Sequence, residues 1–186
     1  SLASDHRIWA GLVKQTGMAL VDTLDEFLDT LLAFQMLTAR SDRPTRKVVL
    51  FGNGGGTSVL ASDFFGRVGL EVPLLNDLAR HNLLELKLPP GTSIDNPIDT
   101  PSTTLKVDEG RVARSILETV YTDDDPDAVV MHVNLPVFGT SQEQGADYVG
   151  ILVDSALQVT KESARGCHFV LVLRSDGMEH TDTRRR

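Results

Sequence analysis

The chain has 186 residues, a formal net charge of −8 and one cysteine, Cys167. Hydrophobic residues make up 41% and charged residues 24%, values typical of a globular protein. The acidic balance, without a basic stripe, disfavours nucleic acid as a partner, and no apolar run reaches the length of a membrane span. Because a lone cysteine excludes an internal disulfide, we expect a reducing, cytoplasmic setting.

Two amphipathic helices are predicted before residue 40. The first carries its apolar residues on one face: Ile8, Trp9, Leu12 and Val13. Thr23 and Glu26 have the spacing of a capping box and open the second helix. Between the helices, the apolar run 18–21 predicts a short strand. We therefore assign residues 1–39 to a helix–strand–helix segment that belongs to a preceding domain, and residues 40–46 to a linker.

From residue 47 onward the pattern alternates between strands and helices. Short apolar runs predict strands at 48–51, 70–73, 128–133 and 169–173. Helices are predicted after residue 56, from Asn76 to 86, at 108–121 and at 141–165, with a long loop at 92–106. The first of these helices is expected to face the core with Leu60, Phe64 and Val68. This alternation predicts an α/β domain at 47–186: a flavodoxin-like, doubly wound parallel sheet with helices on both faces.

The glycine-rich turn at 52–58 is the main functional feature. It lies between a buried strand and a helix, where glycine lets the backbone approach a ligand and the first amides of the helix lack partners. These amides and the helix dipole predict an anion site. We assign phosphate binding to Asn53, Gly54, Gly55, Gly56, Thr57 and Ser58. A tight turn with a hydroxyl cap and no ligand is the structural alternative.

Three better-known motifs fit this turn less well. A Walker A loop requires a lysine where Gly56 stands, and a nucleophile elbow requires a glycine where Leu60 stands. A dinucleotide fingerprint requires a glycine at Thr57, but Glu71 lies at a suitable spacing for a ribose contact. Dinucleotide binding therefore stays open as an alternative.

Ligands of doubly wound sheets bind beyond the carboxyl ends of the strands. Besides the glycine turn, the loops 94–101 and 134–140 reach that edge. They place four further residues at the edge of the site: Asn96, Pro97, Asp99 and Asn134. A turn without function is the alternative for the first three, since Asn-Pro favours a turn and Asp bonds nearby backbone. His132 is expected to be a buried, hydrogen-bonded histidine, and no Cys/His cluster predicts a metal site.

Several segments resemble the nucleoside-diphosphate-forming acyl-CoA synthetases, the relatives of succinyl-CoA synthetase. The segment 47–63, KVVLFGNGGGTSVLASD, is similar to the opening of the second flavodoxin-like domain of that family. Three further segments follow at the spacing found in that domain: the prolines after Leu88, the Asn-Pro-Ile-Asp motif at 96–99 and the strand at 127–134.

The resemblance implies a reaction in which an acyl-CoA and phosphate give an acyl phosphate and CoA. A histidine then takes the phosphoryl group and passes it to ADP or GDP on an ATP-grasp domain, with Mg²⁺. The start of the helix after the glycine turn would cradle the phosphohistidine. That histidine would lie upstream of Ser1, so we expect no catalytic residue here, no bound cofactor except phosphate, and an inactive isolated chain. CoA-binding and ATP-grasp domains or subunits would be its partners.

Two other classes of function remain open from the sequence. The domain could be a regulatory or scaffold domain that kept the fold without catalysis, or a free-standing nucleotide or flavin binder. We expect residues 1–39, with their large apolar faces, to pack back on the domain or to mediate self-association into a homo-oligomer. The resemblance also implies that this domain would lack the last helix and the last strand of the corresponding domain in that family.

Overall fold

The computed structural model describes residues 6–38, 43–138, 148–163 and 166–174. The chain divides into two compact units, Ser1–Ser41 and Asp42–Arg186. The predicted helix start at 141–147 and the end of the 134–140 loop lie outside the described residues.

The first unit contains two helices, α1 (His6–Thr16) and α2 (Leu24–Met36). The predicted capping box at the start of α2 is present: the Glu26 amide donates to Thr23 Oγ1 at 3.1 Å, and the Thr23 amide donates to Glu26 Oε2 at 3.3 Å. Residues 18–21 do not form the predicted strand. A strand needs a neighbour to satisfy its backbone, and the described part of this unit contains only helices.

The second unit is built on a four-stranded parallel sheet. Its strands are β1 (Val48–Gly52), β2 (Ile98–Asp99), β3 (Ala128–Asn134) and β4 (His168–Arg174). Their order is β2-β1-β3-β4, so β2 lies on one side of β1, and β3 and β4 lie on the other. This is the predicted flavodoxin-like, doubly wound arrangement. The direction in which strands are added reverses between β1 and β3, so the carboxyl ends of these two strands form the topological switch point.

Helices cover both faces of this sheet. The helices of this unit are α3 (Gly55–Arg67), α4 (Asp77–Glu85), α5 (Ser102–Lys106), α6 (Arg111–Asp123), α7 (Leu135–Phe138) and α8 (Tyr148–Glu162). Residues of α4, α6 and α8 share one hydrophobic core with Val49, Phe51, Val129, Met131 and Val133 of the sheet. The alternate residues of the strands, which include His132, face the side on which α3 lies.

Four predicted elements differ in detail from the structure. The loop predicted at 134–140 contains α7 (Leu135–Phe138) in its described part. Residues 70–73 form only an isolated bridge, between Glu71 and Lys47. The predicted loop 92–106 contains β2 and α5, because the carboxyl end of β1 offers β2 a pairing edge. The helix predicted from residue 108 begins at Arg111, since Asp108 and Glu109 adopt left-handed backbone angles before it.

The predicted inward face of α3 is wrong. Leu60, Phe64 and Val68 are 72%, 60% and 57% exposed, whereas Ser58 is buried. The turn that precedes α3 and the hydrogen bond of Ser58 to His132 set the rotation of the helix about its axis. Small residues therefore approach the sheet, and the apolar stripe points away from it.

Candidate anion-binding site

The glycine turn connects the carboxyl end of β1 to α3, and two of its glycines are required by geometry. Gly54, the residue before the helix, has φ 127° and ψ 87°, a conformation that side-chain-bearing residues rarely adopt. Gly52 lies against β3: a Cβ built on it would be 2.1 Å from the carbonyl oxygen of His132 and 2.8 Å from ring atoms of that residue. The backbone can follow this path only with glycine at both positions.

The first amides of α3 are partly satisfied within the protein. The amides of Thr57 and Ser58 both donate to the carbonyl oxygen of Gly54, at 2.9 and 3.2 Å. The Gly54 amide donates to Oδ1 of Asp99 at 2.8 Å. No described residue accepts a hydrogen bond from the amide of Gly55 or of Gly56. Two adjacent donors thus remain at the positive end of the helix dipole.

The two glycines that carry these donors differ in their surroundings. A Cβ on Gly56 would meet no atom within 4 Å, so the backbone there borders open space. A Cβ on Gly55 would lie 2.9 Å from Oδ2 of Asp99. The approach to the helix start is therefore open on the side of Gly56 and bordered by a carboxylate on the side of Gly55.

Asp99 is the predicted edge residue that the fold brings closest to the turn. It ends β2, whose register with β1 pairs it with Gly52. Its Oδ1 caps the turn, and Oδ2 is directed toward Gly55. A carboxylate at a helix N-terminus is stabilised by the helix dipole, so Asp99 occupies part of the favourable field that an anion would use.

Asn53 and Asn134 join the loops that follow β1 and β3. The Asn134 amide donates to Oδ1 of Asn53 at 2.9 Å, and Asn53 is buried. The side chain of Asn53 is thus used within the protein and holds the two loops together at the switch point. Its hydrogen bond positions the turn, which favours a structural role for this predicted phosphate-binding residue.

Asn96 is buried beneath the same edge, 6% exposed. Its Oδ1 accepts from the Leu50 amide at 2.9 Å, while its Nδ2 donates to the carbonyl oxygens of Val48 and Pro73, both at 2.8 Å. The side-chain amide therefore replaces a strand along the edge of β1, just before β2 begins. This geometry favours the structural alternative for Asn96, and Pro97 follows it through a cis peptide bond.

His132 lies directly beneath the turn, as the buried, hydrogen-bonded histidine that the sequence suggested. Its Nε2 is 2.8 Å from Oγ of Ser58, and the two residues are 6% and 2% exposed. Burial lowers the pKa of His132, and the nearby charge of Asp99 partly offsets that effect. Its link to α3 was not predicted, because the contact joins positions 74 residues apart. No short-range sequence pattern points to this contact.

Glu71 lies away from the turn. It pairs with Lys47, which precedes β1, whereas the glycine turn follows β1. At roughly 3.3 Å per residue, the five residue steps between Lys47 and Gly52 span about 16 Å. This position disfavours the ribose contact that kept the dinucleotide alternative open.

The described residues contain no group of three or more His, Cys, Asp or Glu side chains that could hold a metal ion. Within the same part of the chain, no helix combines the length and the apolar character that a membrane span needs.

Comparison with curated proteins links the chain to acyl-CoA ligases. No family model matches the chain. The alpha subunit of acetate–CoA ligase (ADP-forming) II of Pyrococcus furiosus is 28% identical over 138 residues, which are 74% of this chain and 28% of that protein. The alpha subunit of the type I ligase is 31% identical over 102 residues, 53% of this chain and 20% of that protein. A 4-hydroxybutyrate–CoA ligase (ADP-forming) of Nitrosopumilus maritimus is 27% identical over 101 residues, 53% of this chain and 14% of the ligase. The resemblance to the nucleoside-diphosphate-forming acyl-CoA synthetases is confirmed.

Solved structures agree with this relationship at the level of the fold. The acetyl-coenzyme A synthetase 1 of Candidatus Korarchaeum cryptofilum superposes with a TM-score of 0.74 and 18% identity, over 98% of this chain and 36% of the synthetase. The same synthetase in complex with phosphate and ADP gives a TM-score of 0.73 and 17% identity over the same shares. The chain spans less than a third of the length of the curated acyl-CoA synthetase relatives.

Proposed function

We propose that this chain is the phosphate-handling domain of a nucleoside-diphosphate-forming acyl-CoA synthetase. The observation that carries the proposal is the pair of amides at the start of α3, on Gly55 and Gly56, that donate to no acceptor among the described residues. They lie at the carboxyl edge of the sheet, beside its topological switch point, where doubly wound domains bind ligands. The similarity to ADP-forming ligases supports phosphate as the anion.

Backbone amides at a helix start suit a phosphoryl group for physical reasons. They are held rigidly by β1 and α3, so they need no reorganisation when negative charge arrives. Their partial positive charge adds to that of the helix dipole. Two adjacent N–H groups can each donate to one oxygen of the same phosphoryl group, and Gly56 leaves the approach open.

In the parent enzyme, the proposed substrates would be an acyl-CoA, phosphate and ADP or GDP, and Mg²⁺ would accompany the nucleotide. The products would be the acid, CoA and ATP or GTP. The described residues of this chain would bind and orient the phosphoryl group of a phosphohistidine supplied from outside it. The CoA-binding and ATP-grasp portions of the parent enzyme would be its partners, and the isolated chain would not turn over.

The negative charge of Asp99 sets a condition on this role. A phosphoryl group held by the Gly55 and Gly56 amides would be near Oδ2 of Asp99. The isolated domain should therefore bind free phosphate weakly. Stronger binding is expected where the phosphoryl group arrives with a partner that carries a proton or a positive charge.

The proposal is tested by titrating the full chain with inorganic phosphate while backbone amide resonances are followed by NMR. We expect the Gly55 and Gly56 amides to move most. The Gly56→Leu variant should lose this response, because its side chain covers the open approach. Leucine has a helix propensity about 1 kcal/mol better than glycine, so a loss of binding would not reflect a weakened helix.

Gly66→Leu provides the matched control. Gly66 lies in the same helix and, like Gly56, has no atom within 4 Å of a built Cβ. It lies more than two helical turns from the helix start, so this variant should bind phosphate as the unmodified chain does. A phosphate response that survives in Gly56→Leu, or that is centred away from α3, would contradict the proposed function.

A further inference from the structure

His132 is a buried titratable group to which the proposed function gives no role. It lies two residues before the carboxyl end of β3 and pairs in register with Gly52 of β1 and Val172 of β4. Gly52 leaves the space that its ring fills. The ring thus sits between the sheet and the first turn of α3, at the base of the glycine turn.

A direct hydrogen bond joins His132 to the proposed anion site. Ser58 is the fourth residue of α3, and its amide donates to the carbonyl oxygen of Gly54 in the turn. Its Oγ is 2.8 Å from Nε2 of His132. Because a hydroxyl group can either donate or accept, this contact persists whether His132 is neutral or protonated.

Among the described residues, few charged groups face His132. The neighbouring positions on β1 and β4 are Gly52 and Val172, and the contact from α3 is Ser58, so none of these three is charged. From the end of β2, the carboxylate of Asp99 acts on the ring and raises its pKa. Burial has the larger effect and lowers the pKa below its usual value near 6.5, so His132 is neutral at pH 7.

An anion at the start of α3 would change this balance. It would bring negative charge to within one helical turn of the ring, on the same side as Asp99. Negative charge nearby favours the protonated form of a histidine. The reverse also holds, since binding linkage is reciprocal: a protonated His132 would increase the affinity of the site for the anion.

We propose that anion binding at the glycine turn is coupled to the protonation of His132. The proposal rests on the proposed function, because it needs an anion at Gly55 and Gly56. The proton comes from solvent and stays on the imidazole ring. It compensates the repulsion between the anion and Asp99, and the site binds more tightly as the pH falls.

The decisive measurement is the pKa of His132, followed by NMR of the ring protons in the full chain with and without saturating sulfate. Sulfate is the probe because it takes up no proton over the range in which histidine titrates, about pH 5 to 8. Sodium chloride at equal ionic strength corrects for screening. We expect sulfate to raise the pKa of His132 by about one unit, which corresponds to about tenfold tighter binding by the protonated form.

Two variants give an independent measurement. The His132→Gln side chain can still bond Ser58 but cannot be charged, so its sulfate affinity should not change with pH. His81→Gln is the matched control, because His81 is exposed on α4 in the described structure. It should keep the pH dependence of the unmodified chain. Should His132→Gln fail to fold, the pKa of His132 in the unmodified chain decides the question alone.

The outcomes separate this inference from the proposed function. If sulfate moves the Gly55 and Gly56 amides but leaves the pKa of His132 unchanged, the coupling is wrong and the anion site stands. If neither sulfate nor phosphate moves those amides at any pH, the proposed function fails and the coupling fails with it.

Discussion

At the scale of the residue, Asp99 shows how a fold can both build and restrain a binding site. Its carboxylate accepts the amide of Gly54 and so holds the turn in the conformation that exposes the next two amides. Its charge also opposes an anion bound to them. A hydrogen-bond acceptor without the charge would keep the first effect and remove the second.

For Asp99→Asn we expect tighter phosphate binding. The asparagine oxygen can still accept from Gly54, but the repulsion is lost. For unit charges about 6 Å apart, the repulsion lies between about 0.7 kcal/mol in water and about 2.8 kcal/mol at the effective dielectric constant of a protein surface. Phosphate affinity, measured by the NMR titration, should therefore rise about tenfold at low ionic strength and by less at high salt.

Asp95→Asn is the control for this change. Asp95 belongs to the same loop but forms an ion pair with Arg80 at 3.0 Å, and about half of its side chain is exposed. It should leave the phosphate affinity unaltered. A fall in affinity in Asp99→Asn would mean that the carboxylate serves the ligand directly, as the acceptor of a donated proton or through a cation.

At the scale of the element, the edge of the sheet depends on a side chain that takes the place of a strand. Backbone pairing with β1 is interrupted between the Glu71 bridge and β2, and Asn96 fills the interval. It satisfies backbone groups of Val48, Leu50 and Pro73. Asn96 anchors this loop, and Asp99, three residues later, reaches the glycine turn. The packing of Asn96 is thus connected to the position of Asp99 at the candidate site.

Asn96→Ala should therefore destabilise the second unit. The substitution leaves the buried amide of Leu50 without an acceptor and two carbonyl groups without a donor, and each lost partner costs about 1–3 kcal/mol. We expect a loss of at least about 3 kcal/mol in urea unfolding, since three partners are removed. Asn82→Ala is the comparison: Asn82 is half-buried and donates to Asp123 at 2.8 Å, and its loss should cost under about 1 kcal/mol. Equal effects of the two changes would show that Asn96 does not support the strand edge.

At the scale of the whole molecule, the chain corresponds to only part of each protein to which it is similar. It matches 28% and 20% of the length of two ligase subunits and superposes on 36% of a solved synthetase. Its second unit contains the sheet and the candidate site, whereas its first unit consists, in the described residues, of α1 and α2.

The apolar residues of the first unit carry a prediction at this scale. The exposed large side chains of α2 are Leu24, Phe27, Leu28, Leu31, Leu32, Phe34 and Met36. Apolar surface of this extent tends to seek burial, so the self-association expected from the sequence stays a prediction. Sedimentation velocity over a hundredfold range of concentration checks it. A chain that stays monomeric throughout, with narrow resonances for residues of α2, would contradict it.

The sequence alone determined the local features of this protein. Continuous apolar runs indicated β1, β3 and β4, the Thr23 and Glu26 spacing indicated the start of α2, and three glycines after a buried strand indicated an open helix start. These features depend on neighbouring residues, whose preferences act over a few positions. Strand–helix alternation then restricted the topology to a doubly wound sheet.

Only the tertiary structure decided which distant residues meet at the glycine turn. Asp99 reaches Gly54 and His132 reaches Ser58 because the parallel register aligns the ends of β1, β2 and β3. These contacts also set the rotation of α3, against its apolar periodicity. Contacts between positions 45 and 74 residues apart follow from how strands pair, and no short-range pattern encodes that pairing.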